Sequence, residues 1–283
     1  MVRRPPHDDG LPRLRPAAVK ALRRRILGWY SENRRDLPWR HTTDPYAVLV
    51  SEIMLQQTRV SRVLSRFAEW LTAYPTLETL AAAPLDDVLR RWQGLGYNNR
   101  ASRLRDCAAT TLAHAVPGAP AALPRTLEGL RALPGLGPYT ARAVLIFAHN
   151  DDLAAVDANV RRVLTHELTL PPELAPRGLQ AVADVVLPRG RSRDWHNALM
   201  DYGAMVLTTH ATGIAPRTRQ SAFQGSRRQH RARLLRLLLK RGPQRIDQLA
   251  SALSLEPAVT RELVGLLGSD GLVTCQDDLV AVA

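Results

Sequence analysis

The sequence predicts a mainly α-helical protein, with a long helical body and a small C-terminal domain of helices and a hairpin. Three observations predict it. Apolar residues recur at helical spacing in segment after segment, and alternating strand-like runs are all but absent before residue 270. Short glycine and proline turns, among them Gly94–Tyr97 and Leu133–Pro138, separate the segments. Beyond residue 229, leucine-rich helical stretches lead to Asp270-Gly271, a turn signal before two short β-type runs.

In chain order, Val19–Glu32 places Leu22, Ile26, Trp29 and Tyr30 on one side of a helix. The turn Asp36-Leu37-Pro38-Trp39-Arg40 follows, and Asp44-Pro45 opens a helix from Tyr46 to about Thr58, with Asp44 a candidate N-cap. Glu52 lies inside the apolar run of that helix. A carboxylate is costly to bury unless it is paired or used, so Glu52 either faces solvent or is held for chemistry. Helices at Ser61–Ala73, Leu77–Ala82 and Asp86–Trp92 precede the turn Gly94-Leu95-Gly96-Tyr97-Asn98-Asn99. Arg100–His114 is helical, Val116–Pro124 is a loop, and Thr126–Leu133 is a short helix.

The chain is organised around Leu133-Pro134-Gly135-Leu136-Gly137-Pro138-Tyr139-Thr140-Ala141, which leads into a helix over Thr140–Ala148. Glycine at 135 and 137 can take backbone angles closed to other residues. A helix N-terminus left open by such a turn binds a phosphate oxygen; an ordinary turn between two helices is the other reading. Asp157 precedes the helix Val160–Leu168, where it either caps that helix or serves chemistry. Pro171–Arg189 holds another helix, and Asp194–Val206 closes the body. Helices at His230–Lys240, Ile246–Leu253 and Glu256–Leu267 and strands at Leu272–Cys275 and Leu279–Val282 look like a winged helix–turn–helix, a fold that binds duplex DNA or docks proteins. The expected organisation is a basic arm at 1–18, the body at 19–215, a basic linker at 216–228 and the winged domain at 229–283.

The formal net charge of +13 points to a polyanionic partner, above all nucleic acid. Arg217–Arg245 carries ten basic residues and no acidic one, which fits either a solvated linker or a phosphate contact. No apolar run reaches the length of a membrane span, and Met1–Pro16 lacks the apolar core of a signal peptide. Cys107 and Cys275 are the only cysteines, which suggests a reduced compartment and excludes a four-cysteine metal site. The expected partner is double-stranded DNA, bound by a monomer in the cytoplasm or on the nucleoid.

Six motifs, in order, give this chain a resemblance. They are Pro38–Arg40 (PWR), Ser51–Thr58 (SEIMLQQT), Gly94–Tyr97 (GLGY), LPGLGPYTA at 133–141, Asp157–Leu164 (DANVRRVL) and Asn197–Met205 (NALMDYGAM). The chain resembles the helix–hairpin–helix Gly-Pro-Asp superfamily of base-excision DNA glycosylases, and within it the MutY-type adenine glycosylases. The resemblance implies a two-lobed all-helical HhH-GPD body with its active site in the cleft between the lobes. It implies Glu52 as the catalytic acid and Asp157 as the second carboxylate. Breaking an N-glycosidic bond builds positive charge on the sugar and negative charge on the departing base, so an acid and an anion serve it. It implies that Leu133, Gly135, Gly137 and Thr140 grip phosphate. Gln57 is implied to wedge into the base stack, Tyr97 and Asn98 to face the DNA, and Trp39, Arg40 and Asp201 to line the base pocket. Bifunctional members carry a Schiff-base lysine where this chain has Tyr139. No lysine lies between Lys20 and Lys240, so a monofunctional glycosylase is expected.

Three departures set the expectations further. Most relatives hold a [4Fe–4S] cluster through C-x6-C-x2-C-x5-C after the NALMDYGAM helix; that spacing falls here on Leu207, Ile214, Arg217 and Phe223. No cluster, metal or other cofactor is expected, and Leu207, Ile214 and Phe223 are expected to form an apolar plug instead. Asn98 stands where many adenine glycosylases have an aromatic residue. The C-terminal domain is smaller than the one that reads 8-oxoguanine in many MutY proteins. The expected reaction is removal of mispaired adenine opposite guanine or 8-oxoguanine. A thymine/uracil glycosylase acting on G:T and G:U, or an inactive DNA-binding regulator, are the alternatives.

Overall fold

The computed structural model of the chain describes residues 14–116, 118–217 and 222–283. The first thirteen residues of the expected arm and residues 218–221 of the expected linker lie outside the described residues. The helices are α1 (Pro16–Asn33), α2 (Pro45–Leu55), α3 (Val60–Ala73), α4 (Leu77–Ala82), α5 (Leu85–Trp92) and α6 (Asn99–Ala113). Then come α7 (Leu127–Ala132), α8 (Pro138–His149), α9 (Ala158–Glu167), α10 (Pro176–Val186), α11 (Ser192–Met205) and α12 (Thr209–Thr212). The last segment holds α13 (Arg227–Arg241), β1 (Gln244–Arg245), α14 (Ile246–Leu253), α15 (Pro257–Ser269), β2 (Val273–Gln276) and β3 (Leu279–Val282). A 3-10 turn spans Pro38–Arg40. Among the described residues no helix is long and apolar enough to cross a membrane.

The chain divides into two compact units. Among the described residues, the first joins those up to Pro45 to 137–217, and the second joins those from Tyr46 to Leu136 to 222–283. In the first unit, α11 packs on α1 and α9. Its core is made by Leu22 and Ile26 of α1, Val163 and Leu164 of α9, Val182 and Val186 of α10, and Trp195 and Leu199 of α11. Gly203 permits the close approach of α11 to α9: a Cβ there would lie 2.9 Å from the Asn159 Cβ and 3.1 Å from the Val163 Cγ2.

In the second unit, α6 packs on α4 and α5, and α3 on α5. Trp70 meets Tyr74 and Trp92 edge-on, with centroids 5.0 and 5.2 Å apart. The C-terminal segment packs α13 on α14, α15 and β3, and touches α5. Its strands form one antiparallel sheet in the order β1-β3-β2, with Gln244 opposite Val280 and Val273 opposite Val282. The two-residue β1 gave no signal in the sequence, because two residues cannot show alternation. The helix expected to run to Thr58 stops at Leu55, since Gln57 turns to φ 53°.

Candidate active site

The second unit supplies Glu52. It sits on α2, where every residue from Tyr46 to Met54 is buried, and is itself only 9% exposed. The solvent-facing reading of Glu52 is therefore set aside. Two residues past the helix end, Gln57 is exposed in a left-handed backbone conformation. A non-glycine residue held there stores strain that the surrounding structure must impose. Tyr97, half-buried in the Gly94–Tyr97 turn, is likewise left-handed at φ 46°. Asn98 is the N-cap residue of α6 but gives it no side-chain cap.

The turn before α8 works through one glycine, not two. Gly135 has φ 79°, and a Cβ there would lie 2.9 Å from that of Arg103. Gly137, expected to need glycine's freedom as well, has an ordinary φ of −78°. It is exposed, it is the N-cap of α8, and a Cβ on it would meet nothing within 4 Å. No side chain caps α8, and the positive end of a helix dipole lies at such an N-terminus. Leu133 is buried, and its carbonyl accepts the Leu136 amide at 3.3 Å, so its side chain anchors the turn. Tyr139 is half-buried and Thr140 buried in the first turn of α8.

Asp157 caps α9. Its Oδ1 accepts the Val160 amide at 2.6 Å, and the Asn159 Nδ2 donates to its Oδ2 at 3.1 Å. Burial pushes its carboxyl above the usual range, against the opposing pull of those hydrogen bonds and of the Arg162 charge. The segment leading to it is pinned from two helices, α10 and α11. His196 accepts the Ala155 amide at 2.9 Å, the Ser192 hydroxyl donates to the Leu153 carbonyl at 2.9 Å, and Gln180 donates to the Ala154 carbonyl at 2.9 Å. Burial lowers the His196 pKa to about 4, so it is a neutral fastening.

Asp201 is fully buried. Arg40 donates to its two oxygens at 2.7 and 2.8 Å, and Arg35 adds its Nε at 2.6 Å and its amide at 3.0 Å. Burial raises the carboxyl pKa, but the Arg40 and Arg35 bonds outweigh it and hold it low. Asp201 thus fixes Arg40, and with it the 3-10 turn that carries the buried Trp39; its own acceptors are taken. Arg35 was not legible as part of this group, since nothing in the local sequence marks it.

The four positions of the cluster spacing do not fit a cluster. Leu207 belongs to the core of the first unit, and Arg217 donates to the Leu174 carbonyl. Phe223 is 55% exposed beneath the Arg228 guanidinium, so it is not the buried member of an apolar plug that was expected. The loop is instead held by arginine: Arg162 donates to the Gly203 and Leu207 carbonyls at 2.6 and 2.5 Å, and Arg161 to that of Ala215. Both cysteines lie elsewhere; burial raises the Cys107 thiol to about 12, and Cys275 is exposed on β2. Among the described residues no three His, Cys, Asp or Glu side chains group to hold a metal ion.

The glycine turn before α8, which has no side-chain cap, and the aspartate that caps α9 both lie within the stretch that matches a family of helical DNA-repair proteins. Residues 50–177 match the HhH-GPD superfamily of base excision DNA repair proteins. The adenine DNA glycosylase of Mycolicibacterium smegmatis is 41% identical over 196 residues, 68% of this chain and 66% of the relative. That of Mycobacterium tuberculosis is 39% identical over 237 residues, 75% of this chain and 77% of the relative. A thermostable thymine-DNA glycosylase of known structure is 30% identical at a TM-score of 0.62, covering 71% of this chain and 90% of that one. The chain belongs to the HhH-GPD superfamily and is a DNA N-glycosylase of base-excision repair.

Proposed function

We propose that the protein is a monofunctional adenine DNA glycosylase that acts on adenine opposite guanine or 8-oxoguanine in duplex DNA. The buried Glu52 carries this reading. Adenine leaves the sugar poorly unless a proton reaches it, and a carboxyl group kept out of water inside α2 is suited to deliver one. In the proposed reaction the base leaves the duplex stack, Glu52 protonates a ring nitrogen, and the sugar–base bond breaks. The Asp157 carboxylate stabilises the positive sugar, and water adds to it, giving free adenine and an abasic site. Tyr139 stands where a lysine would form a Schiff base, so strand cleavage by the protein is not expected. Gly137 and the α8 N-terminus are assigned to a DNA phosphate. We also propose that the protein folds and acts without an iron–sulfur cluster; stoichiometric iron and sulfide in the purified protein would overturn that.

The test is single-turnover base release from duplexes carrying A:8-oxoguanine, A:G, T:G and U:G, scored before and after alkali, for the wild type and Asp157→Asn. Adenine release that needs alkali for strand scission, and is lost in the variant, supports the reading. Release from T:G or U:G alone supports the second reading, a thymine/uracil glycosylase, which the likeness to a thymine-DNA glycosylase favours. Binding without release from any duplex would instead support an inactive regulator. Glu52→Gln separates the two enzyme readings further. Adenine release should collapse, whereas pyrimidines, as better leaving groups, should suffer less.

A further inference from the structure

Gln57 and Tyr97 break right-handed geometry beside α2, and Arg100 bonds Gln56 and Thr58 on either side of the first and the carbonyl of the second. Its Nη1 donates to the carbonyls of Ile53, Met54 and Gln56 at 2.7, 3.0 and 2.7 Å. Its Nη2 donates to the Thr58 hydroxyl at 3.0 Å and to the carbonyls of Leu95 and Gly96 at 3.0 and 2.8 Å. Its Nε reaches the Tyr97 carbonyl at 3.4 Å. One side chain, 7% exposed, therefore closes the C-terminal end of the Glu52 helix and ties it to the Gly94–Tyr97 turn. The carbonyls that α2 leaves without helical partners are the ones it takes. Burial lowers its pKa to about 10, so it is charged at neutral pH.

The charge also lies against two rings, 5.2 Å from the Trp92 centroid and 5.7 Å from that of Tyr97. The stack continues into the C-terminal segment. Arg228 lies 5.5 Å from the Tyr97 centroid and 5.8 Å from that of Phe223, and it donates to the Tyr97 hydroxyl. Trp92, Arg100, Tyr97, Arg228 and Phe223 form a ladder of alternating rings and guanidinium groups, all within the second unit. A lysine cannot replace either rung, having three donors at one point and no plane to lay on a ring.

We propose that Arg100 and Arg228 are positioning residues for base release. Arg100 fixes how α2 presents Gln57, and Arg228 makes the C-terminal segment part of that support. The proposal rests on the glycosylase reading above. Arg228→Ala, Arg228→Lys and Arg100→Lys are compared with the wild type by thermal melting, by single-turnover adenine release at saturating enzyme, and by hydrogen exchange of the free protein over residues 53–60 and 94–100. Arg228→Ala should melt within a few degrees of the wild type, exchange faster in both segments, and release adenine about tenfold more slowly with little change in duplex affinity, since misplacement acts on the chemical step. Arg228→Lys should not restore the rate. Arg100→Lys should lose more, and if it fails to fold the Arg228 variants carry the test. A wild-type rate in Arg228→Ala overturns the proposal, whatever the exchange. If the wild type releases no base, the glycosylase reading has failed; exchange then decides alone, and unaltered exchange over 53–60 overturns the positioning.

Discussion

Asp157 caps α9 and is proposed to stabilise the sugar cation, two roles that a single substitution can separate. It caps α9 through the Val160 amide, and burial holds its carboxyl above the usual range. Asparagine caps a helix about as well as aspartate. Asp157→Asn should therefore melt at or above the wild-type temperature, because the cost of burying a charge is gone, while base release falls by about 10²-fold or more. The sign of the pH effect follows. A carboxyl raised in the folded state costs stability as the anion, and that cost is relieved as pH falls through its folded value. If the anion is what works, the acid limb of the release profile lies above about 3.9, the ordinary aspartate value. His196 acts oppositely. Its pKa drops from about 6.5 unfolded to about 4 folded. The stability it lends is present above the unfolded value and lost as pH falls through the folded one. Melting across pH 3.5–7.5 reads the fold, and the release profile reads Asp157.

At the scale of elements, glycine separates fold from binding. Gly203→Ala forces α11 from α9, with the Asn159 Cα 3.2 Å from the new atom as well, and should destabilise by about 1–3 kcal/mol. Gly137→Ala meets no protein atom and keeps an allowed φ, so melting should hold to within about 0.5 kcal/mol. Duplex affinity should fall, because the added methyl stands at the α8 N-terminus where a phosphate is proposed to sit. Equal affinity by fluorescence anisotropy would remove Gly137 from the DNA interface. Both glycines stood in recognisable motifs, but which of them serves packing and which serves a ligand depends on neighbours distant in sequence.

Across the whole molecule, arginine has two uses that a net charge of +13 does not distinguish. Among the described residues, α2, α8, α10 and α11 are each closed at the C-terminal end by a guanidinium from elsewhere in the chain. Arg100 serves α2, Arg193 takes the Phe147 and Ala148 carbonyls of α8, Arg23 takes those of Val185, Val186 and Leu187 at the end of α10, and Arg162 serves α11. In the C-terminal segment α13 exposes Arg233, Arg236, Lys240 and Arg241. On α15, Arg261 pairs with Asp278, and Val259 and Leu266 are exposed. Neutralising the four α13 residues should weaken duplex binding uniformly. It should also flatten the slope of log affinity against log salt by roughly 1 for each phosphate that is no longer neutralised. Arg261→Gln should leave the slope unchanged. A slope unmoved by the α13 changes would direct that face to a protein partner.

The sequence by itself determined the succession of helices and the family, and it named the candidates for the chemistry, because these are written in local spacing: the 3.6-residue apolar period, the glycine turn, a carboxylate within an apolar run. Glu52, Asp157 and Tyr139 could be named from motifs alone. Only the tertiary structure decided what holds them. Arg35 and Arg40 take up Asp201, Arg100 spans two turns some forty residues apart, and Arg228 joins that stack from the far end of the chain. An arginine reads the same in sequence whether its guanidinium meets a phosphate in solvent or a carbonyl in the interior. The difference lies in which backbone ends the fold leaves without partners, and that is set by contacts between segments far apart in the chain.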